Sequence, residues 1–295
     1  MFFKCKGSGG AVVTIDGVEV EDDLALSSGV KDLSVSTLPY EFSRGGTVVL
    51  NNEIHIIGAS SSTYYTKHYK YNGTSWTSVS TLPYGFYEGS TVVFNNEIHI
   101  LGGGDSQKYH YKYNGKSWTK VSDLPYKFRR GSAVVLNNEI HIMGTLADSS
   151  HYTKHYKYNG TTWAYVSILY DNYYSGSSVV LNGEIHLLGN GYSATTAHYK
   201  YNAATTSWKS VSTLPYRFYN GEAVVFNNEI HIMGAYDSDS QTKHYRYNGT
   251  SWIKLSTLPY SFQMGGAVVH NEAINILGGE ANKTAHYVLN KEIYY

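Results

Sequence analysis

Apolar and polar residues alternate in short runs along most of the chain, and these runs recur in a fixed order. Residues 89–94 form an apolar, β-branched run, residues 95 and 96 are asparagines, and residues 97–101 form a second run. Residues 108–113 alternate tyrosine with polar residues, and residues 117–122 form a fourth run. Such runs, bounded by Asn and Gly, predict four short antiparallel strands. The pair Asn114-Gly115 predicts a two-residue hairpin in which both residues have positive φ.

This four-strand unit occurs six times between residues 30 and 295, with a spacing of 42 to 45 residues between successive tryptophans. A repeat of this length with four strands per copy predicts an all-β fold, a six-bladed β-propeller with four antiparallel strands per blade. Three series mark the copies: Trp76, Trp118, Trp163, Trp208 and Trp252; Pro39, Pro83, Pro125, Pro215 and Pro259 in Leu-Pro-Tyr; and His55, His99, His141, His186 and His231, with Asn275 in the sixth place.

The unit resembles the kelch repeat in its strand order, in the glycines that end strand two, and in pairs such as Tyr71 with Trp76. The resemblance covers about nine-tenths of the chain. It departs from kelch repeats in the glycine doublet, which is complete only at Gly102-Gly103 and Gly278-Gly279. The resemblance implies a kelch-type ring of blades. The loops entering strand one and those joining strands two and three would then lie on one side of the ring.

The two ends of the chain complement each other. The sixth copy stops after its third strand, whereas residues 31–37 match the end of a fourth strand. We therefore predict that the N-terminal strand 31–37 closes the last blade of a propeller domain spanning residues 30–295, with Tyr294 at the position of the missing tryptophan. Residues 1–29 are predicted to form a short N-terminal arm, with a β-hairpin around Asp16-Gly17, that serves docking or assembly.

Composition excludes several classes of function. Lys+Arg and Asp+Glu both number 23, and charged residues are only 16% of the chain, so we expect no nucleic-acid binding through a basic surface. No apolar run is long enough to span a bilayer, so we expect no membrane insertion. The first residues lack the apolar stretch of a secretory signal, and Cys5 is the single cysteine. We expect synthesis in the cytoplasm without a signal peptide, and no intrachain disulfide.

Comparing the six copies separates scaffold from candidate site. The histidine and tryptophan series recur once per blade, which favours packing or hydrogen bonding between sheets over a metal site that needs several ligands at one point. We therefore expect no metal and no cofactor. Galactose oxidase is similar in fold class, but Cys5 lies in the arm, so its cysteine-linked copper chemistry is not expected here.

Variation is concentrated in the loops. In the loop entering strand one, a near-constant phenylalanine, replaced by Tyr173 in copy four, is expected to anchor the backbone, and the residues after it to rim the central channel. The candidate ligand-binding residues are Arg44, Tyr87, Glu88, Arg129, Arg130, Tyr174, Tyr219, Asn220 and Met264.

Tyrosine and arginine are enriched in binding hot spots, and a tyrosine ring can pack on the C–H face of a sugar while its hydroxyl forms hydrogen bonds. We therefore predict a non-enzymatic recognition module that binds a cell-surface glycan or protein. The Tyr-rich Leu-Pro-Tyr and Asn-Asn-Glu-Ile-His-Ile repeats also resemble kelch-repeat tail-associated proteins of phages and prophages of gut anaerobes. That resemblance implies a location on a virion or outside the cell, with the arm attached to a virion or tail protein, or to sister copies in a homo-oligomer.

Two alternatives stay open. One is a sugar-modifying enzyme that resembles sialic-acid mutarotases, which requires an acid and a base near one bound ring. Glu88 with Arg129 and Arg130 is the nearest candidate group, but no second carboxylate is paired with Glu88, and Glu41 belongs to the neighbouring blade. The other is an adaptor of the kelch type, whose arginine-containing face holds an acidic peptide.

Overall fold

The structure, a computed structural model, describes residues 13–15, 18–20, 33–104, 107–192 and 195–289. The chain divides into two units, Met1–Lys31 and Asp32–Tyr295. In the first unit, strands β1 (Val13–Ile15) and β2 (Val18–Val20) pair antiparallel. The predicted turn at Asp16-Gly17, the lone Cys5 and the predicted edge position of Tyr294 lie outside the described residues.

The second unit is the predicted all-β, six-bladed β-propeller, built from six four-stranded antiparallel sheets. The innermost strand of every blade contacts the innermost strands of both neighbouring blades, so the ring is closed. The innermost strands are β4 (Gly46–Leu50), β8 (Ser90–Phe94), β12 (Ser132–Leu136), β16 (Ser177–Leu181), β20 (Glu222–Phe226) and β24 (Gly266–His270). The second strands are β5 (Glu53–Ile57), β9 (Glu97–Leu101), β13 (Glu139–Met143), β17 (Glu184–Asn190), β21 (Glu229–Met233) and β25 (Ala273–Leu277).

The outer half of each blade varies more in strand length than the inner half. The third strands are β6 (His68–Tyr71), β10 (His110–Tyr113), β14 (Lys154–Tyr158), β18 (Thr195–Asn202), β22 (His244–Tyr247) and β26 (His286–Leu289). The outermost strands are β7 (Trp76–Ser78), β11 (Trp118–Lys120), β15 (Trp163–Ile168), β19 (Ser207–Thr213), β23 (Trp252–Lys254) and, for the sixth blade, β3 (Leu33–Ser34). Short 3-10 turns occur at Ser149–His151 and Ser238–Ser240.

The ring closes through the N-terminal part of the propeller unit. Leu33 and Ser34 of β3 pair with Val288 and Tyr287 of β26. Beyond the strand, the Val35 N–H donates to the carbonyl of His286 at 3.0 Å. The sixth blade is therefore assembled from both ends of the unit, and its third strand is covered by a paired neighbour.

The two kinds of turn within a blade differ from each other. The inner hairpins turn at asparagine pairs such as Asn95-Asn96, with φ of 51° and 61°, which is the geometry of a twisted two-residue hairpin. In the outer hairpin only Gly115 has positive φ, and the Asn114 side-chain carbonyl accepts the N–H of Lys116 at 2.9 Å. The prediction of a two-residue hairpin at Asn114-Gly115 is therefore wrong. The loop has four residues because the asparagine side chain supplies an acceptor within the turn.

The glycine that ends strand two is required in every blade, whereas the residue after it is not. These six glycines have φ between 59° and 65°, and a Cβ on any of them would lie 1.7–2.1 Å from a backbone oxygen in the next blade. Only glycine permits so close an approach. The requirement therefore falls on the first member of the doublet, which is present in all six copies: Gly58, Gly102, Gly144, Gly189, Gly234 and Gly278.

The histidine series forms buried pairs within the blades. In the first five blades, Nδ1 of the strand-two histidine lies 2.7–2.9 Å from Nε2 of the strand-three histidine. In the sixth blade the Asn275 Oδ1 takes the place of the first imidazole and lies 3.0 Å from Nε2 of His286. Burial lowers the pKa of ten of these histidines, for example that of His99 to about 4.

The pairs continue into the next blade through serine and tryptophan. Trp76 Nε1–H donates to the Ser36 hydroxyl at 3.0 Å, and that hydroxyl lies 2.8 Å from Nδ1 of His286. Because tryptophan only donates and the Asn275 carbonyl oxygen only accepts, the chain runs in one direction from Trp76 to Asn275. Equivalent chains join His155, Ser167 and Trp208, and also His198, Ser212 and Trp252. Among the described residues, Nε1 of Trp118 and Nε1 of Trp163 have no hydrogen-bond partner, and these rings instead pack on His68 and His110 of the preceding blade. The prediction that the histidine and tryptophan series serve packing or hydrogen bonding between sheets is confirmed.

Candidate functional site

Six residues, one from each loop that enters an innermost strand, form a closed ring around the channel axis. All six have positive φ, between 55° and 59°. The backbone N–H of each donates to the carbonyl of its counterpart in the preceding blade at 2.6–2.8 Å, and Arg44 closes the cycle on Met264. Left-handed backbone costs a non-glycine residue on the order of 1 kcal/mol, which the hydrogen bonds help to offset. We call these residues the mouth ring: Arg44, Glu88, Arg130, Ser175, Asn220 and Met264.

The mouth ring contains five of the nine candidate residues and lines a pocket of about 110 Å³. The other four, Tyr87, Arg129, Tyr174 and Tyr219, each directly precede a ring residue. Behind them lies the predicted anchor, since Phe42, Phe86, Phe128, Phe218 and Phe262 are fully buried and Tyr173 is nearly so. Ser175 completes the ring at a position predicted to rim the channel, although it was not among the candidate ligand-binding residues.

Glu88 lies at the centre of a charge cluster rather than on an exposed rim. Its side chain is only 5% exposed, and its carboxylate contacts Arg44 at 2.8 Å, Arg130 at 2.5 Å and Arg129 at 2.5 Å. Burial alone would raise the pKa of the Glu88 carboxyl, but the bonds and charges of Arg130 and Arg129 hold it below its ordinary value. The sequence showed Arg129 and Arg130 as neighbours of Glu88 but not Arg44, which comes from the preceding blade.

The described part of the cluster carries an excess of positive charge. Arg44 also bonds Glu280 through Nε at 3.0 Å, so among the described residues of the cluster three arginines face two glutamates. The arginine side chains are 25–32% exposed. Guanidinium groups held in this way keep N–H donors available to a ligand oxygen without having to order first.

The two variable loops of each blade lie on one face and are bonded to each other. In the second blade, the Gly104 N–H donates to the Tyr87 carbonyl at 2.8 Å, and in the fifth the Tyr236 N–H donates to the Tyr219 carbonyl at 3.0 Å. The other four blades have the same bond, given by Ser60, Leu146, Gly191 and Glu280. The arrangement implied by the resemblance to kelch repeats is therefore present, and the loops that vary surround the mouth ring.

Tyrosines from these loops pack in pairs around the mouth. Tyr87 stacks on Tyr65 with ring centres 4.9 Å apart, and the Arg129 guanidinium lies 5.4 Å from the Tyr87 ring centre. In the fifth blade, Tyr219 packs on Tyr236 at 5.2 Å and donates its hydroxyl to the Asp237 carboxylate at 3.2 Å. The ring centres of Tyr174 and Tyr152 lie 5.9 Å apart. Each predicted rim tyrosine thus has a partner that fixes its ring.

One carboxylate at the site was missed in the sequence. Glu222 follows Gly221, the glycine next to the mouth-ring residue Asn220, and lines both the mouth pocket and a deeper cavity of about 240 Å³ in the channel. Burial raises the pKa of its carboxyl to about 8. A comparison of the copies could have revealed it, because the other blades carry only small residues at this position: Gly46, Ser90, Ser132, Ser177 and Gly266.

Among the described residues, no three side chains of His, Cys, Asp or Glu come together as a metal site would require. None of the helices found there has the length and apolar character needed to cross a bilayer.

Comparison with known proteins identifies the fold. No family model matches the sequence, and no curated protein does so either. Solved structures do match, and the structure of YjhT is one of them. It aligns with a TM-score of 0.72 over 87% of this chain and 96% of that chain, at 15% sequence identity. Likeness at this level of identity establishes the β-propeller fold and nothing about the ligand. The resemblance to phage tail-associated proteins gains no support from these comparisons.

Proposed function

We propose that this protein is a non-enzymatic recognition module whose loop-bearing propeller face binds a cell-surface glycan. The observation that carries the proposal is the mouth: rim tyrosines and arginines are held in fixed positions around an open pocket. The opposite face contrasts with it, because its inner hairpins repeat nearly the same asparagine turn in every blade. Diversity confined to one face of a rigid frame is what a recognition surface requires.

The chemistry of the rim suits a carbohydrate. Paired tyrosines such as Tyr219 with Tyr236 present ring faces for the C–H surface of a sugar, and their hydroxyls can exchange hydrogen bonds with its hydroxyl groups. The guanidinium groups of Arg44, Arg129 and Arg130 add donors and a local positive charge. These features favour a glycan with oxygen-rich or acidic substituents over an apolar ligand.

A glycan array with matched variants tests the proposal. Tyr236 on the rim and Tyr165 on β15 are equally exposed, at 52% and 51%, so Tyr165→Ala controls for the loss of an exposed tyrosine away from the mouth. We expect the wild type and Tyr165→Ala to bind the same glycans, and Tyr236→Ala or Tyr174→Ala to bind at least about tenfold more weakly. No binding by folded wild type would reject the glycan and favour the alternative protein partner.

The location of the module is a separate proposal. We propose that it is carried on a phage virion or tail through the arm at residues 1–29. This part is supported only by the resemblance of the repeats. A protein lacking residues 1–29 should still bind the glycan but should not co-purify with virions. Normal incorporation of the truncated protein would reject this location.

A second candidate function is supported by one observation. Glu88 and Glu222 line the same pocket, the pKa of the first lying below its ordinary value and that of the second raised to about 8. Two carboxyl groups with opposite protonation states are what acid–base catalysis on a sugar ring needs. Opposing this, three ion pairs make Glu88 a weak base. Anomer interconversion of acidic sugars, followed by NMR with wild type and Glu222→Gln, tests this function, and equal rates would reject it.

A further inference from the structure

The channel cavity below the mouth ring has an unusual lining. It consists of glycine and alanine backbone and of the hydroxyl residues Thr47, Ser90, Thr91, Ser132, Ser177 and Ser178. Of the described residues that line it, Glu222 alone is ionisable. The position of Glu222 is occupied by serine in three other blades and by glycine in two. A single carboxyl group has therefore been introduced into an otherwise neutral, oxygen-rich channel.

This carboxyl group has no partner within the described part of the protein. No hydrogen bond or ion pair joins it to another side chain, and burial is the sole cause of its raised pKa. Glu222 is only partly buried, whereas the Ser178 hydroxyl, on the neighbouring blade, is buried and has no hydrogen-bond partner among the described residues. A carboxylate that ionises in a narrow channel without a partner is costly, so a bound positive charge would stabilise it.

The charged groups nearby do not satisfy Glu222. Arg44 and Arg130 border the mouth pocket above it, but both are paired with Glu88. Tyr173 shares a hydrogen bond with Ser132, and the charge of Glu222 contributes to raising the pKa of the Tyr173 hydroxyl. Strand β21 pairs with the strand that carries Glu222 and places Met233, which has no charge, opposite Glu222.

We propose that the propeller channel holds a monovalent metal cation, Na⁺ or K⁺, bound by the Glu222 carboxylate and by hydroxyl and backbone oxygens of the innermost strands. Alkali-metal ions, like other hard cations, prefer oxygen ligands, and the lining offers such ligands almost exclusively. One carboxylate balances one positive charge, whereas calcium sites are generally built with several carboxylates. This inference does not depend on the proposed glycan function.

Protons and the cation compete for the same oxygen atoms. Because the pKa of Glu222 is raised to about 8, the carboxyl is mostly protonated at neutral pH and is available to a cation above that value. Cation binding should therefore strengthen as the pH rises. A ligand that binds only the folded state stabilises it by mass action, so the melting temperature reports occupancy.

The test compares melting temperatures in NaCl, KCl, CaCl₂ and choline chloride at equal ionic strength, at about pH 6 and about pH 9. For wild type at the higher pH, we expect NaCl or KCl to raise the melting temperature by about 2–4 °C over choline chloride, with a smaller shift at the lower pH. Glu222→Ser, which restores the residue of three other blades, should abolish the shift, as should Glu222→Gln. Broadening of the ²³Na NMR signal by wild type alone would support the same site.

Three outcomes would overturn the proposal. Equal melting temperatures of wild type in all four salts at the higher pH would mean that the carboxyl is simply protonated or hydrated. Stabilisation by CaCl₂ without stabilisation by NaCl or KCl would assign a divalent ion instead. A salt effect retained in Glu222→Ser would place the cation elsewhere. Glycan binding is measured at the rim tyrosines, so its failure is distinguishable from failure of this proposal.

Discussion

The buried histidine pairs make a sharp prediction, because the sixth blade contains a natural replacement for one member. In the second blade, His99 Nδ1 lies 2.7 Å from His110 Nε2. Asn275 performs the same role towards His286. We therefore compare His99→Asn, which keeps an acceptor for His110, with His99→Ala, which removes it.

At neutral pH, the two substitutions should lower the free energy of unfolding by very different amounts. His99 and His110 are almost fully buried. Alanine leaves the His110 N–H without a partner, at about 1–3 kcal/mol, and also leaves a cavity, so we expect a total loss of about 3–5 kcal/mol in the free energy of unfolding. Asparagine keeps the hydrogen bond and most of the volume, so its loss should be about 1 kcal/mol.

At acid pH, His99→Asn should be more stable than wild type, which is the reverse of the order at neutral pH. Burial lowers the pKa of His99 from its ordinary 6.5 to about 4. The folded state therefore resists protonation, and the stability contributed by neutral His99 is present above pH 6.5 and is lost as the pH falls towards 4. At about pH 5 the loss is about 2 kcal/mol, which His99→Asn escapes. Burial lowers the pKa of ten histidines in the same direction, so the loss of stability at acid pH should be steep.

Urea unfolding followed by tryptophan fluorescence, at several pH values between about 5 and 7.5, measures these differences. We expect wild type to lose stability steeply below about pH 6.5, and His99→Asn to become the more stable protein near pH 5. A wild-type stability that stays flat between these pH values would refute the reasoning. So would equal losses for His99→Ala and His99→Asn at neutral pH.

Three further predictions concern the backbone, the mouth and the closure. Gly189→Ala should cost more than about 3 kcal/mol in urea unfolding, because its Cβ would meet a carbonyl oxygen of the next blade, whereas Gly183→Ala, with open space around it, should cost about 1 kcal/mol. Glu88→Gln should lower the free energy of unfolding by about 3–5 kcal/mol, since it leaves three arginines facing one another. Glu53→Gln, at a partly exposed ion pair, should change it by less than about 1 kcal/mol, and equal effects would contradict the buried cluster. Deleting residues 1–37 should lower the melting temperature sharply, and deleting only residues 1–29 should not; calorimetry on both truncations checks this.

Repetition made the fold predictable. The spacing of the tryptophans, the Leu-Pro-Tyr series and the alternation within each copy specify local strands and their order, and six equal copies leave few ways to pack them. The same comparison indicated that the His and Trp series are structural and that the loops around Glu88, Arg130 and Asn220 differ. One local detail was wrong, the turn at Asn114, because an asparagine side chain can replace a backbone acceptor.

The relations between blades could not be obtained from sequence. Residues that meet at the mouth lie about 44 positions apart or at opposite ends of the chain, as Arg44 and Met264 do, and only ring closure brings them into hydrogen-bond contact. The tertiary structure likewise buried Glu88 among three arginines and enclosed Glu222 in the channel. Burial and charge pairing depend on the positions of distant chain segments, whereas strand formation depends on neighbours. The sequence by itself therefore determined the propeller, and only the closed ring decided the chemistry at its centre.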